Sequence, residues 1–118
     1  MCHVQTLMLE GNQIGDLGVA ALAKVCADGA LAQLTDLILD QNQIGDPGVS
    51  ALADACAKGA LAQCKELWLN QNKIGDKGLE ALSKALAIGA LDNIENIFLT
   101  GNPGSSAPVD EALRKRKQ

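Results

Sequence analysis

LTDLILDQNQIGDPGVSALADACAKGALAQ, residues 34–63, is the second copy of a unit that recurs every 30 residues. Residues 4–33 match it at 19 of 30 positions and residues 64–93 at 15 of 30. A partial fourth copy begins at residue 94, so Asn12, Asn42, Asn72 and Asn102 occupy one repeat position. A unit this short cannot bury its own apolar face, so the copies must stack into one array.

Inside the unit, Leu34, Leu37, Ile38 and Leu39 predict a short strand over 36–40, with alternating faces. Asn42 turns the chain, and its fixed place suits a buried amide serving backbone groups at the bend. Asp46-Pro47-Gly48 reads as a helix start, with Asp46 as N-cap and Pro47 at the first helical position. Val49, Leu52, Ala53 and Cys56 form an inward helical stripe. Gly59 stops the helix in the left-handed conformation, and Leu61 packs the return. Strand, crossover helix and next strand give parallel pairing with all helices on one face. Helices are wider than strands, so the array curves, with strands inside and helices outside.

These features predict an α/β solenoid forming one domain, 1–118: repeats 4–33, 34–63 and 64–93, then a partial repeat and C-terminal cap over 94–118. Apolar residues make up 47%, and the only aromatics are Trp68 and Phe98. A net charge of −4 with no basic face across the array excludes a general nucleic-acid binder. No apolar run reaches the length of a membrane span. Met1 to Val4 lack the basic and apolar regions of a secretory signal, so a soluble, cytoplasmic chain is expected. Cys26 and Cys56 stand where the third copy has Leu86, and Cys64 stands where other copies have Val4, Leu34 and Ile94. These three thiols are expected to be buried and inert, with Cys2 exposed.

The strand signature L-x-x-L-x-L-x-x-N runs as Val4-Leu7-Leu9-Asn12, Leu34-Leu37-Leu39-Asn42, Cys64-Leu67-Leu69-Asn72 and Ile94-Ile97-Leu99-Asn102. It resembles that of leucine-rich repeat proteins. The continuation I-G-D-x-G-x-x-A-L resembles the ribonuclease-inhibitor-like subfamily, which includes NLR immune sensors. The resemblance spans residues 4–102 and implies a right-handed curved array, a cytosolic location and protein binding on the concave sheet.

Catalysis has no support in the sequence. His3 is the single histidine, and there is no phosphate loop, dinucleotide fingerprint or Cys/His metal spacing. No cofactor or metal is expected. The Asp16, Asp46, Asp76 column suggests either calcium or helix caps, and its place before the helices favours caps. Positions that vary between copies are more informative. Alternation sets Met8, Ile38, Trp68 and Phe98 in one outward column, a ridge of roughly 300–400 Å². One flank runs Thr6, Asp36, Glu66, Asn96, and the other runs Glu10, Asp40, Asn70, Thr100. The candidate site is therefore Met8, Ile38, Trp68 and Phe98 with Asp36, Glu66, Glu10 and Asp40, for a protein or peptide with apolar and basic groups. The competing explanation is cross-strand packing alone.

The ends differ from the repeats. Val109 to Lys117 reads as a last helix, with Val109, Ala112 and Leu113 covering the preceding helix and Ser106 or a neighbour capping its start. The basic run Arg114 to Lys117 fits a solvated helix end, or a nuclear-import or anionic-surface patch. The first strand leaves an open parallel edge over a Leu/Ala-rich flank, which raises a rival function: a structural module that self-associates through an edge or end. A GTPase-regulating fragment follows from the resemblance alone.

Overall fold

Each 30-residue unit folds as a strand, a bend and a helix. A computed structural model describes residues 6–29 and 31–116. The elements are β1 (Thr6–Met8), α1 (Gly15–Ala27), β2 (Asp36–Ile38), α2 (Asp46–Ala57), β3 (Glu66–Trp68), α3 (Asp76–Ala87), β4 (Asn96–Phe98) and α4 (Ala107–Arg116). The strands form one parallel sheet in the order β1-β2-β3-β4. Its register follows the repeat: Leu7 pairs with Leu37, Leu37 with Leu67, and Leu67 with Ile97. Strand β2 is shorter than the predicted 36–40, ending at Ile38 ahead of the turn at Gln41, whose φ is 58°. Pairing nevertheless continues past it, with the Leu39 and Gln41 amides donating to the Trp68 and Asn70 carbonyls.

The core lies between sheet and helices. Leu37, Leu39, Ile44, Val49 and Leu52 are fully buried, as are Leu67, Leu69, Ile74, Leu79 and Leu82. The predicted glycine stop is present: Gly59 has φ 103°. Its amide donates to the Cys56 carbonyl, and the Ala60 amide donates to the Ala55 carbonyl, closing a Schellman turn. Gly89 and Ala90 do the same for α3. Helix α4 begins at Ala107 rather than Val109, since Pro108 is tolerated in a first turn, where amides lack helical partners. Val109 is fully buried, Ala112 and Leu113 pack on the core, and the Ser105 hydroxyl accepts from the Ala107 amide.

Between strand and helix the bend is held by asparagine. Asn42 Oδ1 accepts from the Asn12 and Ile14 amides of the preceding repeat, at 2.8 and 3.3 Å. Its Nδ2 donates to the carbonyls of Leu9 and Asp40. Asn72 binds the Asn42 and Ile44 amides at 2.8 and 3.1 Å, and Asn102 binds those of Asn72 and Ile74. One buried side chain thus satisfies backbone groups of two repeats, and Asn42 is wholly inaccessible to solvent. Asn12 is exposed, and among the described residues its amide group donates within its own repeat, to Leu9 and Glu10.

The aspartates do cap helices, but not their own. Gly45 and Gly75 are the N-cap residues of α2 and α3, and neither helix has a side-chain cap from within its repeat. Asp16 Oδ1 instead accepts from the Gly45 and Gly48 amides of the next repeat, at 2.6 and 3.0 Å. Asp46 does the same for Gly75 and Gly78, and Asp76 accepts from Ser105. The close approach explains the second glycine of G-D-x-G: a methyl group on Gly48 would sit 2.7 Å from Asp16 Oδ1. Helix α1 is capped by no side chain.

Cys26, Cys56 and Cys64 are free and buried, as their repeat positions predict, while Cys2 lies outside the described residues. Burial raises all three thiol pKa values, those of Cys56 and Cys64 to about 12. The folded state therefore favours the neutral thiol, and its advantage is complete below the ordinary value of 9.0. Above that, the unfolded chain ionises first and stability falls towards pH 12.

Two outcomes follow. In urea, Asn72→Ala is expected to cost about 3 kcal/mol by stranding buried amides, and Asn12→Ala under about 1 kcal/mol; equal losses would contradict the inter-repeat ladder. Raising the pH above 9 is expected to lower the urea midpoint less in a Cys56→Ala, Cys64→Val variant than in wild type.

Candidate functional site

Strand alternation turns Leu37 and Leu67 into the core and their neighbours outward. The outward residues stand in register, Met8 beside Ile38, Ile38 beside Trp68, and Trp68 beside Phe98. Met8 at the sheet edge is 60% exposed, while Ile38, Trp68 and Phe98 are half-buried. The two rings lie with centroids 4.1 Å apart and planes tilted 34°, a packed aromatic pair on the sheet surface. Trp68 Nε1 donates to Glu66 Oε1 at 3.3 Å, which fixes the indole along its strand.

The two flanks are not alike. Asp36 and Glu66 are register partners on adjacent strands, both half-buried, and neither is in a salt bridge among the described residues. Two carboxylates side by side make this edge of the ridge electronegative. On the opposite flank, Asp40 Oδ1 accepts from the Asn70 amide at 2.8 Å, and Asn70 Oδ1 accepts from the Thr100 amide at 2.7 Å. Asp40 is thus part of a second inter-repeat ladder, a role that sequence reading missed. The available signal was that Asp and Asn, whose short side chains reach a neighbouring backbone, hold that column at 40 and 70. Glu10, at the same position, is exposed.

Other sequence candidates are also placed. The Asp16 and Asp46 carboxylates are committed to the caps of the following helices, and Asp76 to Ser105. Among the described residues, no group of three or more His, Cys, Asp or Glu is arranged to hold a metal ion. His3 lies outside them. No described helix is long and apolar enough to cross a membrane. In the basic run, Arg116 donates to the Ala90 and Leu91 carbonyls at 2.8 and 3.1 Å, tying α4 to the end of the third repeat. Arg114 and Lys115 sit near Glu111, exposed, where such pairs contribute little. Lys117 is outside the described residues.

The ridge, its paired rings and its acidic Asp36–Glu66 flank belong to a sheet built from tandem strand–helix units. The family profile described as Leucine Rich repeat matches residues 1–23, 32–53 and 65–83, over half of the chain. The chain belongs to the leucine-rich repeat family. Leucine-rich repeat domains generally mediate protein–protein interaction and are typically non-enzymatic. No curated protein matches the chain. As a leucine-rich repeat, it uses the strand leucines and asparagines for the array and leaves the outward column free to vary.

The asymmetry of the flanks is open to measurement. Asp40→Ala is expected to lower unfolding free energy by about 1–2 kcal/mol through the stranded Asn70 amide, and Asp36→Ala by under about 0.5 kcal/mol. Denaturant titration of the two variants that gave equal losses would remove the distinction.

Proposed function

We propose that this leucine-rich repeat domain binds a protein or peptide segment on its outward sheet face. The segment lays an apolar side chain against Trp68 and Phe98 and sets a Lys or Arg beside Asp36 and Glu66. Ile38 and Met8 extend the apolar contact towards β1, and Glu10 adds negative charge at that edge. Asp40 shapes the opposite rim while serving the backbone.

One observation carries the reading: a register-aligned apolar column with a packed Trp–Phe pair, bordered by two carboxylates that are in no salt bridge among the described residues. Cross-strand packing accounts for the ring contact. It does not account for a methionine left 60% exposed in the same column, nor for two adjacent like charges beside it. Small polar residues would serve solubility better. The reading takes the chain as a cytoplasmic, ribonuclease-inhibitor-like member of the family, supported by the I-G-D-x-G-x-x-A-L continuation.

Panning a displayed peptide library against the domain and titrating the selected peptides through Trp68 fluorescence tests this. Phe98→Ala and Trp68→Ala, the latter read by calorimetry, are expected to weaken binding, Trp68→Ala by about 2 kcal/mol or more with unchanged circular dichroism. Asp36→Asn with Glu66→Gln is expected to flatten the salt dependence of the association rate. Peptides whose affinity ignores Trp68→Ala would place recognition elsewhere.

A further inference from the structure

The two ends of the array are finished differently. Beyond β4, helix α4 lies over α3 and is fastened by Val109 and Arg116. On the β1 side, Leu7, Leu9 and Ile14 are only half-buried, whereas their counterparts Leu37, Leu39 and Ile44 are fully buried.

Helix α1 differs most. Leu17, Ala21 and Val25 follow at i, i+4 and i+8 along its free flank. Leu17 is 89% exposed and Val25 46%, and Ala21 is exposed too. Inner repeats use the same flank to meet the helix before them. There, Ala51 and Ala55 line the seam between α1 and α2, and Ala81 and Ala85 line that between α2 and α3. Alanine sets that close spacing, and Ala55 and Ala85 are both buried. Val25 replaces this alanine, so a further helix in the inner orientation and at the inner spacing would be overpacked. Leu17 replaces Pro47 and Lys77, which makes the flank more apolar than any inner one.

The stripe is symmetric in size about Ala21: large, small, large. Turned antiparallel on a copy of itself, Leu17 faces Val25 of the second copy, and the two Ala21 methyls meet where the helices cross. We propose that the β1–α1 face is a self-association surface, seating a second copy of this chain across a two-fold axis at Ala21. Such an axis also brings the free edge of β1 and the half-buried Leu7 and Leu9 towards their copies. Because α4 seals the other end, the assembly closes at two. The face adjoins the Met8 end of the ridge and leaves Trp68 and Phe98 two and three strands away, so the dimer presents two ridges.

Sedimentation equilibrium of the full chain, carrying Cys2→Ser, tests the proposal across micromolar to millimolar concentrations. A monomer–dimer equilibrium without larger species is expected. Ala21→Glu sets two like charges at the crossing and is expected to weaken the dimer roughly a hundredfold or more. Ala21 is exposed in the monomer, so circular dichroism is expected to stay unchanged. On oxidation, Ala21→Cys is expected to give a disulfide-linked dimer much faster than Leu17→Cys, and this comparison decides the matter even where Ala21→Glu impairs folding. A monomer at every concentration, species that keep growing, or equal cross-linking at the two positions would overturn it.

Discussion

Every bend in this array leaves backbone amides pointing into a space that its own repeat cannot fill. The carboxamide of the following asparagine fills it. Asn42, Asn72 and Asn102 each reach back to two amides of the preceding unit while donating to carbonyls of that unit and of their own. Buried backbone polar groups must be paired, so no repeat is finished until its successor is in place. Stability here belongs to the seams between units, as expected of a quasi-one-dimensional fold.

The same dependence runs through the other polar residues. Asp16 and Asp46 each cap the next helix, where the glycine three residues after that helix's N-cap glycine clears room for the carboxylate, and Asp76 holds the Ser105 amide ahead of α4. Asp40 and Asn70 pair the bends a second time along the sheet. With this many side chains devoted to joining units, those left over stand out. They are the Trp68–Phe98 ridge, the Asp36–Glu66 flank and the bare side of α1, and the proposed activities of the domain lie on them.

Much of this was legible in the sequence. The 30-residue period fixed the parallel register, the buried leucines, the glycine stops and the three core thiols, because each depends only on position within a unit. What escaped were choices between a contact within a repeat and the same contact across a seam. Asp46 before α2 looks like a cap for α2, since a strict period makes the neighbouring helix start indistinguishable from its own. Asp40 looked like surface charge because alternation places it outward without revealing the amide beside it. Gln41 and Gln71 adopt φ of 58° and 56°, where Gly11 and Gly101 stand in the outer copies. Side-chain type gave no hint of that turn, although the glycines in the same column did.

The aspartate relay and the asparagine ladder have opposite reach: one side chain serves the unit ahead, the other the unit behind. The seam between the first and second units and the seam between the second and third therefore carry the same set of asparagine and aspartate contacts. Removal or duplication of a whole 30-residue block would regenerate that set, whereas a break one residue out of phase would leave both sides of it unmatched. A gene with this architecture can change its number of units by unequal crossing-over and still encode a folded product. Copy number can consequently change by whole blocks without unmatching the seam contacts.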